Sequence, residues 1–190
     1  DLDTLIADFD FLQNPLPGTR ISWKDAHLPG AARPYRAGIH HGLDFYGDTS
    51  GGGIVLGTAV MAAAPGIVKR IDHQYVPPTP ERLNELALEC QQRGYTPDDV
   101  LNIFRGRQMW IENERGFLIY YCHLDEVDDE LKVGSYVRTG DIIGKMGYSG
   151  TTEPDRPHLH IEIWFGDHFL GEGMIVRQIR DFFEATIFKE

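Results

Sequence analysis

PHLHIEIWF, residues 157–165, reads as a β-strand, because β-branched and aromatic residues alternate with polar ones and side chains two apart share a face. His158, His160 and Glu162 then point one way, and Leu159, Ile161 and Ile163 the other. A distant stretch, IHHGLDFY at residues 39–46, has the same grammar: His40 and Asp44 share one face, His41 points away, and Gly42 permits close approach by another backbone or a ligand. Any two imidazoles and a carboxylate from these groups suffice to hold a zinc ion and leave one coordination position open to water. An isolated strand histidine is usually structural or solvent-facing; the argument rests on the paired pattern.

Outward from these segments, the 190 residues suit one domain with a substantial core. Twenty-one glycines and eleven prolines in a chain 42% hydrophobic indicate short strands and many turns. With 18 basic against 29 acidic residues, the net charge of −11 disfavours a polyanionic partner, so nucleic acid is not expected. The longest apolar run, AVMAAAPGIV, is too short to span a membrane and contains Pro65 and Gly66, so a soluble domain is expected. Because the chain starts at Asp1 rather than at a methionine, the lack of a leader carries no information. Cys90 and Cys122 form no CxxC pair, which excludes a cysteine zinc ribbon; buried free thiols are expected, a disulfide being the alternative.

Leu2, Leu5, Ile6 and Phe9 are spaced for a short opening helix. TRISW (19–23) is expected to begin the β region, and TAVMAAAPGIVKRI to form two strands joined by a turn at Pro65-Gly66. From about residue 75 to 107 the pattern turns helical. Thr79 precedes Pro80 as an N-cap, Leu83, Leu86, Ala87 and Cys90 make one face, and Gly94 ends the helix. Thr96 is expected to cap a second helix, with Val100, Leu101 and Phe104 on its buried side and Gly106 at its end. Strands resume in MWIEN, in GFLIYYCHL and in the glycine-punctuated VGSYVRTGDIIGKMG, and Ile175, Ile179, Phe182, Phe183 and Ile187 predict a terminal amphipathic helix. A mainly β protein is thus interrupted by a helical hairpin.

These motifs resemble those of the lysostaphin-type, LytM-like zinc metalloendopeptidases. His40-His41-Gly42-Leu43-Asp44 is similar to the family's HxGxD segment, YYCHL to its Tyr-x-His-Leu strand, and His158-Leu159-His160 to its HxH segment. The order is right from residue 17 to 165, the hairpin excepted. The resemblance implies small antiparallel sheets forming a groove, built as a duplicated hybrid motif. It also implies Zn²⁺ bound by His40, Asp44 and His160, with His123 and His158 as catalytic histidines. Peptidoglycan stem or cross-link peptides are the implied substrate, met outside the cytoplasm.

Two departures stand out. The hairpin at 75–107 replaces what is usually a short connection; a lid, a groove wall and a docking surface for a protein partner are all open readings, and so is a merely packed decoration. The loop from Gly150 to Pro157 is longer than the family's usual turn. Glu162 is a candidate to orient a ligand, against an ordinary salt bridge; Tyr121 is expected in the core, and His27, His73 and His168 at the surface. A non-catalytic regulatory domain of the same family is the rival reading, though such domains often lack the ligands present here. A lipoyl-like carrier, suggested by VGSYVRTGDIIG, gives Lys145 no suitable context and leaves the histidines unexplained.

Overall fold

The structure, a computed structural model, describes residues 1–189. An opening helix, α1 (Leu2–Asp8), capped by the Asp1 side chain, leads through an irregular segment to a two-stranded ribbon, β1 (Ala32–Arg33) and β2 (Gly38–Ile39). Strand β3 (Leu43–Tyr46), a single turn of helix α2 (Gly47–Ser50), and strands β4 (Ala59–Met61) and β5 (Gly66–Ile71) follow. The hairpin consists of α3 (Pro80–Arg93) and α4 (Asp98–Phe104). Beyond it lie β6 (Met109–Glu112), β7 (Leu118–Cys122), β8 (Leu124–Val127), β9 (Tyr136–Val137), β10 (Ile142–Met146), β11 (His158–Phe165), β12 (His168–Phe169) and α5 (Val176–Ala185).

All strand pairs are antiparallel. The larger sheet runs β12-β11-β7-β6-β5-β9, with β3 added beside the first half of β11, and a smaller sheet runs β4-β10-β8. β11 is the organising strand. At its start it lies between β3 and β7, so that His160 is opposite Asp44 on one side and Cys122 on the other. Being flanked this way, every residue from His158 to Ile163 is buried, polar ones included.

The core fills the space between the sheets with Leu43, Phe45, Met109, Ile111, Ile119, Leu124, Ile143 and Leu159, and continues into an aromatic cluster of Phe9, Phe117 and Phe182 where α1 meets α5. Ile179, Phe182 and Phe183 supply the buried stripe of α5; of the other two residues predicted with them, Ile175 is the exposed N-cap and Ile187 is buried beyond the helix end. Each such side chain contributes about 1.5–3 kcal/mol on full burial. The hairpin has a small cluster of its own, Leu86, Cys90 and Val100. Both cysteines are free and buried. No helix among the described residues is long and apolar enough to cross a membrane.

Four local expectations are corrected. TRISW is not a strand: the Thr19 hydroxyl donates to the Leu16 carbonyl and Ser22 Oγ accepts from the Lys24 amide, so local side-chain bonds replace a ladder. IHHGLDFY is broken at 40–42, where the backbone of His40 pairs instead with Gly30 and Ala31. GFLIYYCHL is broken at His123, whose φ of 60° turns the chain from the larger sheet into the smaller one. Thr96 does not cap α4; its hydroxyl donates to the Arg36 carbonyl and accepts from the Arg36 guanidinium, fastening the hairpin to the segment before β2.

Candidate metal centre and groove

The break in the second histidine segment has a steric origin. A Cβ on Gly42 would lie 2.0 Å from the Ile161 carbonyl oxygen, so only glycine lets this backbone cross β11. The crossing brings His40 in from a loop, Asp44 from β3 and His160 from β11. His40 Nε2 lies 2.9 Å from His160 Nδ1 and 3.0 Å from Asp44 Oδ1, and the last two atoms are 2.7 Å apart. All three side chains are buried.

The remaining ring atoms decide what those three donors can hold. A carbonyl or a carboxylate oxygen only accepts, so the nitrogen bonded to it must carry the hydrogen. His40 Nδ1 donates to the Leu28 carbonyl at 3.0 Å, and His160 Nε2 to Glu162 Oε1 at 2.9 Å. The facing nitrogens, His40 Nε2 and His160 Nδ1, converge with Asp44 Oδ1 on a single point. Three such atoms around one point are held together by a shared proton or by a metal ion. Two imidazole nitrogens and a carboxylate oxygen are the donor set of three-ligand zinc sites, and the residues fit that ion.

The electrostatics favour positive charge at this point. Burial lowers the affinity of His40 for a proton. It works against charge on His160 as well, yet bonds to Asp44 and Glu162 outweigh it and raise the group above its ordinary value. Asp44 stays ionised well below the usual carboxylate range despite its burial, because His40 and His160 favour the anion. Glu162 is lowered too: the His160 bond and the Arg105 charge overcome desolvation. Arg33 Nη2 reaches the second Asp44 oxygen at 3.3 Å.

His158 and His123 stand beside this trio with ring centroids 4.5 Å apart. His123 Nδ1 donates to the Ser149 carbonyl at 2.7 Å and His158 Nδ1 to the Arg156 carbonyl at 3.3 Å, which again leaves the other nitrogen of each ring bare. Burial pushes His158 down to about 4, and burial together with neighbouring His158 pushes His123 well below its ordinary value. His158 Nε2 is 4.0 Å from Asp44 Oδ1 and accepts from the Tyr46 hydroxyl at 3.3 Å. All five residues singled out in the sequence therefore meet in one place.

They line a groove of about 540 Å³. One wall is the helical hairpin, through Leu83, Ala87, Leu101 and Phe104; the loop at Gly150–Glu153 contributes to another. His41 turns away from the trio to pack on Trp164 and Phe169. Tyr121 is a core residue whose hydroxyl accepts the Ala63 amide, and His73 and His168 are exposed. His27 corrects the expectation of a surface position: it is buried, stacked on Tyr46 and bonded to Ser22 Oγ, because the segment before β1 folds under β3. Sequence reasoning missed Arg33, Tyr46 and Arg105. Tyr46 was within reach, since it lies two residues from Asp44 on one strand face; the two arginines carry no local signal.

Residues 95–170 match the family model of peptidase family M23, a family of metallopeptidase-type hydrolases. Solved structures with a similar fold include a zinc-containing peptidase from Vibrio cholerae, 20% identical over 85% of this chain and 38% of that one, with a TM-score of 0.55. Lysostaphin, from Staphylococcus simulans, is similar in its solution structure at 21% identity over 83% of this chain and 48% of that one, with a TM-score of 0.51. A variant catalytic domain of the prophage-encoded M23 protein EnpA from Enterococcus faecalis is 19% identical over 84% of this chain and 93% of that one, TM-score 0.50. Likeness at such identities establishes the fold. No curated protein matches significantly. The match over residues 95–170 agrees with the resemblance that the motifs carry, and the chain spans well under half of the Vibrio chain.

Proposed function

We propose that the protein is a zinc-dependent endopeptidase that hydrolyses stem or cross-link peptides of bacterial peptidoglycan outside the cytoplasm. The observation that carries this is the donor set itself: His40 Nε2, Asp44 Oδ1 and His160 Nδ1 lie within 3.0 Å of one another, with the outer ring nitrogens bonded to Leu28 and Glu162. These three residues would hold the metal. When bound, it supplies Lewis-acid polarisation of water and of a peptide carbonyl.

The chain's own residues do the rest. His158 accepts a proton from water through Nε2, the nitrogen left bare by the Nδ1 bond to Arg156. Tyr46 holds that ring in place by stacking on it, with centroids 4.1 Å apart. His123 faces the oxyanion that develops on the peptide. It rests neutral, so its donor role operates only when a proton reaches its free nitrogen during turnover. The groove walls exclude part of the solvent and align an extended peptide.

The substrate class rests on the motif resemblance. With a complete donor set and two further histidines, catalysis is favoured over the purely regulatory reading. Elemental analysis of protein purified with zinc is expected to give about one ion per chain. His158→Ala is expected to keep the metal and lose peptide hydrolysis, whereas a chain that takes up no zinc contradicts the proposal.

A further inference from the structure

The inserted hairpin does more than wall the groove. Its last residues, Arg105–Arg107, turn back into the centre. Arg105 closes α4, and its side chain, 8% exposed, grips Glu162 through Nε and Nη2 at 2.9 and 2.8 Å, a bidentate pair. Glu162 Oε1 also accepts from His160 Nε2 at 2.9 Å, while Oε2 accepts from the Trp164 indole. The backbone of the same arginine acts on the other histidine: its carbonyl accepts the His123 amide at 2.9 Å, at the position where φ is 60°. Gly106 packs against Ser149, where a Cβ would lie 2.2 Å from the carbonyl oxygen that accepts from His123 Nδ1.

A planar guanidinium with fixed donors holds both oxygens of a carboxylate in one plane, which a lysine cannot do. Held that way, Glu162 stays an acceptor and fixes a proton of His160 on Nε2, which keeps the Nδ1 edge of the ring turned toward Asp44 and His40. Partners of this kind orient metal-binding imidazoles and strengthen their basicity. We infer that Arg105 is a positioning residue for the metal centre, and that the hairpin at 75–107 is built into that centre rather than being a separable docking device. The inference rests on the zinc reading above.

Its test measures metal rather than turnover. Zinc affinity by competition with a chromophoric chelator, and the visible spectrum of the cobalt-substituted protein, are compared across Arg105→Met, Arg105→Lys and the double variant Arg105→Met with Glu162→Gln. The double variant leaves no buried unpaired charge, so it keeps a cooperative thermal transition even if Arg105→Met alone does not. Zinc binding is expected to weaken by about 10–100-fold in Arg105→Met and by at least about tenfold in the double variant. The cobalt spectrum shifts in both, and Arg105→Lys restores only part of the loss. A double variant that binds zinc within about twofold of the parent, with an unchanged cobalt spectrum, overturns the inference while leaving the zinc reading intact. A parent that takes up neither ion overturns the zinc reading and the inference with it.

Discussion

At the scale of single residues, what matters is where each imidazole proton sits. Backbone carbonyls of Leu28, Ser149 and Arg156 and the Glu162 carboxylate hold the four outer ring protons, which turns the inner nitrogens of all four rings toward the centre. The identities of these histidines were legible in the motifs, but their tautomers were not, since the partners lie far away in sequence. Strand parity paired His40 with Asp44 correctly, although no continuous strand joins them. The pairing comes from the crossing at Gly42. Gly42→Ala is therefore expected to destabilise the fold by about 1–3 kcal/mol, because the added carbon meets backbone that cannot yield. Urea unfolding measures this, and a change below about 0.5 kcal/mol contradicts the steric account.

At the scale of elements, strands and helices announced themselves by period, while the corners did not. PHLHIEIWF, MWIEN and the α5 stripe carry strong alternation or helical spacing, and each is found where the pattern puts it. TRISW has strand-like composition but spends its polar groups locally, and GFLIYYCHL hides a corner at His123 that no glycine marks. The hairpin was legible as two helices, but its packing over the groove was not, because an amphipathic face does not name its partner. Ala87 lines the groove from α3 and is half-buried. Ala87→Phe should narrow the groove and raise KM for a peptide substrate on the order of tenfold, with zinc content unchanged. An unaltered KM would show that substrate does not use this wall.

At the scale of the whole molecule, two chain segments distant in sequence, around residues 40–44 and at His160, supply the donors, so folding assembles the centre and a bound ion must in turn stabilise the fold. At a free zinc concentration one hundred times its Kd, the gain is about 2.7 kcal/mol. For a chain of this size that raises Tm by about 5–10 °C. Differential scanning calorimetry with and without chelator measures it; a Tm indifferent to zinc contradicts a site formed by the native fold. The net charge of −11 acts at this scale as well. Anionic wall polymers repel such a domain at long range, and raising the ionic strength screens that repulsion. Binding to anionic polymers should accordingly not weaken as salt is added.

The most direct measurement is the release of new amino groups and peptides from purified sacculi, identified by mass, using zinc-loaded parent protein beside His158→Ala of equal metal content. The account predicts defined cleavage of stem or cross-link peptides by the parent and none by the variant. Equal cleavage by the two proteins, or none by a parent that carries its zinc, would contradict it.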